Sequence, residues 1–155
     1  MQPGKKQAVK LRYAKREDLD FLIEGLEKNR VLENRPKGQI KARPSDKQQF
    51  EQAIAKRNIR VAEQNGEPIA FIYFRTDFKI LYLHQRIFWV DLVYVKEDQR
   101  RHGLGRLLYQ DVINIARKKG FKKVTIDIFD SNRASRKFHH ALGFEPIYAI
   151  YQKDI

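Results

Sequence analysis

The spacing of apolar positions changes several times along the chain, and each change marks an element. Ala8 to Tyr13 alternates enough to form a first strand. From Glu17 to Lys28 the residues Leu19, Leu22, Ile23 and Leu26 fall at helical spacing, which predicts a helix. Arg35-Pro36-Lys37-Gly38 interrupts it. Ser45-Asp46 then caps a second helix running to about Lys56, with Phe50, Ala53 and Ile54 on one face. Asn65-Gly66 reads as a hairpin turn between strands Ile59–Glu63 and Pro68–Thr76. Phe88 to Val95 is a strongly apolar strand. Leu104 to Lys118 carries Leu104, Leu108, Val112, Ile115 and Ala116 on one helical stripe, and Gly120 ends it. A strand over Lys123–Phe129, a helix over Ser131–Leu142 and a last strand over Phe144–Gln152 complete the pattern. Strands gathered early and alternation late indicate an α/β (α+β) fold around a sheet of mixed direction.

The chain has 155 residues, 42% hydrophobic and 33% charged, which suits one domain over 1–155 with one core. No internal repeat, Gly/Ser linker or composition break divides it. The longest apolar run, Ile69–Phe74, is too short to span a bilayer, and the basic start Met1–Lys6 has no apolar stretch behind it. A cytoplasmic protein without membrane partners is the expectation. The formal charge of +13 favours anionic partners. The chain contains no cysteine, so disulfides, thiolate metal sites and acyl transfer through an enzyme thiol are excluded.

The most informative segment runs from Val93 through Arg100-Arg101-His102-Gly103-Leu104-Gly105-Arg106. It follows an apolar strand and opens an amphipathic helix. Glycines there let backbone amides approach a ligand, and the helix dipole favours an anion such as a pyrophosphate. The same glycines would also serve a bare tight turn. The strand-loop-helix setting and the clustered arginines, which Glu97 and Asp98 only partly offset, favour the anion site. No Gly-Lys-Ser/Thr follows, so this is not a Walker loop. A dinucleotide fingerprint is also excluded: the glycines are too few, and Asp127 falls inside the predicted strand, not at its end.

Arg100-x-x-Gly103-x-Gly105 resembles the acyl-CoA pyrophosphate loop of the GCN5-related N-acetyltransferases (GNAT). Asn132-x-Ala134-x-x-x-Phe138-His139-x-x-x-Gly143-Phe144 is similar to the second signature of that family, with the alanine displaced by one. The hydrophobic strand Trp89–Val95, with Asp91 within it, precedes the loop as it does there. The matches cover Phe88 to Phe144, so the cofactor core is expected at about 88–144. The resemblance implies a mostly antiparallel central sheet with a splayed central strand pair, flanked by about four helices. It implies acetyl-CoA as co-substrate, with backbone groups of Val93, Tyr94 and Val95 taking the pantetheine arm as an added strand. Arg100, Arg101, His102, Gly103, Leu104, Gly105 and Arg106 would wrap the pyrophosphate. Asn132 would bond the pantetheine amide region, Arg136 would reach a phosphate, and Phe138 would pack against the arm. Plain core for the apolar positions, and a solvated helix charge for Arg136, are the competing readings.

In this family an amine attacks the thioester directly in a ternary complex. Asp91, an acid in an apolar strand, is the candidate base, such help being worth roughly 10²–10⁴-fold. The competing reading is a surface acid or one paired with a cation. The family commonly has a tyrosine as general acid after Phe138. Here His139 stands in its place, and its imidazolium would protonate the departing thiolate. Water, Tyr148 and Tyr151 are the other donors considered. Adjacent His139 and His140 point apart on a helix, so no metal is expected.

The acceptor would be a small-molecule or peptide amine. The basic connection Val31–Pro44, with Arg35, Lys37, Lys41 and Arg43 against Glu33, and the segment Phe78–Ile87, with Tyr82, His84 and Arg86, would shape its mouth. They favour an acceptor with a negative group beside its amine and disfavour a polyamine. Two rivals remain: an acyl-CoA-binding sensor without catalysis, and a basic nucleic-acid-binding module using its ten Phe and seven Tyr. The second is disfavoured because the basic residues are dispersed. A homodimer exchanging the last strand is compatible with the pattern.

Overall fold

The computed structural model describes residues 8–79 and 86–155. The residues Tyr82 and His84 lie outside the described part. Five strands form one sheet in the order of the chain: β1 (Lys10–Tyr13), β2 (Ile59–Gln64), β3 (Glu67–Phe78), β4 (Ile87–Val95) and β5 (Val124–Ile126). Neighbours pair antiparallel except β4 and β5, which run parallel. Four helices flank the sheet: α1 (Leu19–Leu32), α2 (Pro44–Ala55), α3 (Leu104–Lys118) and α4 (Arg133–Ala141).

Strand alternation supplies two cores. On one face Ala70, Ile72, Phe74, Phe88 and Val90 pack with Leu104, Leu108, Tyr109, Val112 and Ala116 of α3. On the other, Val61, Phe71, Tyr73, Leu92 and Tyr94 pack with Phe21 and Leu22 of α1 and with Phe50 and Ala53 of α2. β4 changes allegiance midway. Phe74 pairs with Val90 and Tyr73 with Leu92, so Asp91 is an extra residue and makes a β-bulge. Before it Phe88 and Val90 face α3; beyond it Leu92 and Tyr94 face α1 and α2.

The predicted α3 agrees with the observed bounds, and Gly120 at φ +83° follows it. The second helix starts at Pro44, in a first turn where proline's missing donor costs nothing. Asp46 accepts from the Arg43 amide at 2.7 Å. Two strand expectations need correction. β5 keeps only Val124–Ile126 of the predicted Lys123–Phe129, because the chain beyond Ile126 leaves the ladder. No strand forms over Phe144–Gln152. Phe144 packs into the core beside Tyr109, but Ile147, Tyr148, Ile150 and Tyr151 are exposed. Their apolar character suits a strand, yet no described strand pairs with them.

Near the start of α1, buried Asp18 receives Arg12 at 2.7 and 2.9 Å and the Lys15 amide at 2.7 Å, which ties β1 to the helix. Gly25 sets how closely that helix approaches the sheet: a Cβ there would lie 2.5 Å from the Phe71 ring and 2.7 Å from that of Tyr94. Gly25→Ala is therefore expected to lower stability by about 1–3 kcal/mol through overpacking, read from the urea midpoint.

Candidate active site

The parallel pairing of β4 and β5 is short. It runs Phe88 to Val124, Trp89 to Thr125 and Val90 to Ile126, and then stops. The bulge at Asp91 falls at the next position and bends β4 away. Asp91–Val95 thus has no β5 partner along one edge, as the expected splay requires. Val93 and Val95 are half-buried there. The carbonyl of Val95 accepts from Arg100 Nε at 3.1 Å, so Arg100 reaches back to the strand with that atom. Tyr94 turns its ring into the α1 layer, leaving only its backbone for a ligand on the β5 side.

The loop after β4 is built to expose amides. Lys96 donates to Ile69, and Glu97–Gln99 makes one tight turn. Arg101 at φ +63° and Gly103 at φ +79° then reverse the chain into α3. Among the described residues, none accepts a hydrogen bond from the backbone amides of Arg101 to Arg106; the first backbone bond of the helix is Leu107 to Gly103 at 2.9 Å. Those amides stand at the positive end of a 15-residue helix. Arg101, His102 and Arg106 are exposed around them, and His102 Nδ1 lies 3.2 Å from the Gln99 carbonyl. Leu104 is buried, so only its amide faces outward. Gly105 has a different task from Gly103. A Cβ there would stand 2.9 Å from Phe138, so this glycine lets α4 pack against the start of α3.

Asn132 caps α4, its Oδ1 accepting from the Ser135 amide at 3.1 Å. Arg136 is exposed and pairs with Asp130 at 3.1 Å, the solvated-charge arrangement. Phe138 is half-buried against Gly105 and Tyr109. His139 is placed in the packing between α3 and α4. It is buried, with Nε2 2.6 Å from the Tyr109 hydroxyl and Nδ1 2.8 Å from the Ser135 carbonyl. The carbonyl requires Nδ1–H to donate, and with the ring neutral Tyr109 donates to Nε2. Burial lowers its pKa, against the opposing bond to Ser135. Burial likewise raises the pKa of Tyr109. Ser135 and Tyr109 thus occupy both ring nitrogens. His139 therefore belongs to the α3–α4 packing.

A charge cluster at the strand fork was only partly visible in the residue pattern. Asp91 is half-buried and held by Arg75 of β3, with Nη2 3.1 Å from Oδ1 and Nε 3.1 Å from Oδ2. Arg75 also lies over the Phe78 ring, which stacks on Trp89. Asp127 follows directly after Ile126, so it stands just past the strand's end and not within it. Glu33 and Arg35, paired at 2.5 Å, reach across from the end of α1, and Arg35 lies over Phe129 at 5.5 Å. Asp127 keeps exposed surface, yet the walls of the fork strip water from its carboxyl and raise its pKa. Asp91 and Glu33 push the same way; its own amide and Arg35 oppose them. The mouth is accordingly less basic than expected. Arg35 is neutralised by Glu33, and Lys41 meets Glu27 at 3.1 Å. Arg86 is exposed and lies over Phe121. No residue spacing signalled Arg75 or Tyr109, since each acquires its partner through the tertiary fold.

Residues 26–144 match the acetyltransferase (GNAT) family, and the chain belongs to it. A segment of 53 residues, 34% of this chain, is 45% identical to the L-methionine sulfoximine/L-methionine sulfone acetyltransferases of Pseudomonas paraeruginosa and Pseudomonas aeruginosa. The match covers 31% of each of those proteins. The fold is shared with a GCN5-related N-acetyltransferase from Ralstonia eutropha, at TM-score 0.77 and 15% identity over 95% of this chain and 99% of that one. It is shared with the aminoglycoside N-acetyltransferase AAC(6')-Iy in complex with CoA, at TM-score 0.73 and 19% identity over 98% of both chains. A PaiA N-acetyltransferase from Thermoplasma acidophilum in complex with coenzyme A aligns at TM-score 0.73 and 19% identity, over 90% of this chain and 91% of that one. Family membership supports acetyl transfer. Among the described residues no helix is long and apolar enough to cross a membrane.

The neutral His139 makes stability depend on pH. Its folded pKa lies below the unfolded value, so the unfolded chain takes the proton more readily. The stabilisation is complete above about pH 6.5 and is lost as pH falls toward the folded pKa, with a slope of at most about 1.4 kcal/mol per pH unit. Urea midpoints from pH 7.5 down to pH 5 are expected to show this loss, and His139→Phe to remove it.

Proposed function

We propose that the chain acts as one N-acetyltransferase domain, transferring the acetyl group of acetyl-CoA to a small-molecule primary amine by direct attack in a ternary complex. The observation that carries this reading is the run of unpartnered amides from Arg101 to Arg106 beside the free edge of β4. A diphosphate satisfies such amides at a helix start. Arg101 and Arg106 neutralise its charge, and Gly103 supplies the left-handed backbone that a side chain resists. Val93, and the Val95 atoms not used by Arg100, take the pantetheine amides along the strand edge. The thioester then lies toward the fork, where a strand amide near Val93, on the free edge, faces the developing oxyanion.

The fork supports an acceptor carrying both signs of charge. Asp127, which no described cation engages, suits an ammonium, and the Glu33–Arg35 and Asp91–Arg75 pairs set charge of both signs beside it. The partial match to acetyltransferases of L-methionine sulfoximine and sulfone supports the same class, a free amino acid or its analogue. An exposed, dispersed basic surface without a readout element gives less support to nucleic acid.

Acetyl-CoA is expected to bind with micromolar affinity in titration calorimetry and to survive competition by an oligonucleotide in moderate salt. Gly103→Val forces a β-branched residue to φ +79° and is expected to weaken binding by about tenfold or more at 1–2 kcal/mol of strain. Thiol release is the test of turnover, with L-methionine sulfoximine, L-methionine sulfone, kanamycin, spermidine and an N-terminal alanyl peptide as acceptors. The amino-acid analogues are expected to lead and spermidine to trail. Binding without thiol release from any of them identifies a sensor; absence of binding removes the acetyl-transfer reading.

A further inference from the structure

We infer that Asp127, and not Asp91, takes the proton from the acceptor's ammonium, and that Asp91 acts through its bond to Arg75 as a positioning residue. This rests on the acetyl-transfer reading above. The register places the two acids opposite one another: Val90 pairs with Ile126, and each carboxylate follows its partner at the point where the strands part. Asp127, just past the strand, faces Asp91 of β4 and Glu33 and Arg35 at the end of α1, opposite the α3 side toward which Val124 and Ile126 pack. Asp91 lies on that face as well, since it meets Arg75, which alternates in β3 with Phe71 and Tyr73 of the α1–α2 core.

The two acids differ in what holds them. Both Asp91 oxygens face the Arg75 guanidinium at 3.1 Å, so that carboxylate is already engaged and held in place. No described cation closes an ion pair with Asp127. The groups that face it are Asp91 from β4 and Glu33 and Arg35 from the end of α1, and Arg35 is already engaged by Glu33. Loss of water and the two acids raise its pKa, which brings a carboxylate closer to the working range of a general base.

The reaction balances with one carboxylate. Asp127 accepts one proton from R–NH3⁺, and the freed nitrogen lone pair forms a bond to the thioester carbon. Collapse of the tetrahedral adduct breaks the C–S bond. A second nitrogen proton passes to the departing thiolate, and Asp127 later returns its own to solvent. The products are the acetamide, the CoA thiol and one proton, and no acid at position 139 is required.

The test is the pH profile of kcat/KM for thiol release, with L-methionine sulfoximine or the fastest amine of the panel above. Wild type is expected to show an acid limb above the ordinary aspartate range of about 4, with activity lost as pH falls through it. Asp127→Asn should lower kcat/KM by about 10²- to 10⁴-fold and abolish that limb, while CoA affinity by calorimetry stays unchanged. Asp91→Asn should move the limb to lower pH, because it removes a negative neighbour and frees Arg75. Glu33→Gln should move it the same way and Arg35→Gln the opposite way. The carboxyl carbon of Asp127, followed by NMR without substrate, should titrate in step with the limb and respond likewise to Asp91→Asn. A variant Asp127→Asn that keeps rate and limb overturns the inference alone, as does an Asp127 carbon that titrates normally and ignores Asp91→Asn. If wild type binds CoA yet releases no thiol with any amine, the acetyl-transfer reading fails and the inference falls with it.

Discussion

A backbone amide or carbonyl inside a protein needs a partner, and two stretches of this chain leave such groups open side by side. One is the edge of β4 beyond Val90, where β5 has turned away. The other is the start of α3, where Arg101 to Arg106 offer amides that no described residue accepts. Under the proposed function, an extended chain carrying amides and ending in a diphosphate would satisfy both at once. The packing around them serves this exposure. Gly105 admits Phe138, the Tyr109–His139 bond fixes α4 to α3, and the bulge keeps the strands apart.

Much of this was legible from residue types because it rests on local chemistry. The α3 stripe, the Asn65-Gly66 turn and the glycine at position 103 each act within a few residues. What was not legible depends on distant neighbours. His139 reads as a polar helix residue following Phe138; only Tyr109, thirty positions away, makes it a buried acceptor. Gly105 reads as part of a phosphate loop, but its lack of a side chain answers to Phe138. Asp127 sat inside a predicted strand because alternation continued through Phe129, and alternation carries no information about where a ladder ends. The apolar residues from Ile147 to Tyr151 mislead for the same reason, since a strand pattern does not supply a partner.

Charge is organised at two scales. Over the whole molecule the balance is +13, which draws a polyanionic donor toward any part of the surface. Locally the cations are tied down: Arg12 by Asp18 and Glu63, Arg30 by Asp46 at 2.9 Å, and Arg60 by Asp111 at 2.6 Å. At the fork the pairing leaves Asp127 without a cation while the loop keeps Arg101 and Arg106 exposed. An anionic cofactor and a cationic nucleophile can thus be drawn to neighbouring places on a strongly basic protein.

The extra residue in β4 has a reach beyond its immediate surroundings. Because it is absorbed as a bulge, even-numbered positions lie on opposite faces before and after it, so a single strand furnishes Phe88 and Val90 to one layer and Leu92 and Tyr94 to the other. Removing Asp91 would leave Leu92 and Tyr94 facing α1 and α2, since Val90 and Leu92 already oppose consecutive residues of β3; what would be lost is the bend. The bulge thus lets β4 keep its pairing with β3, and its two-faced packing, while it parts from β5.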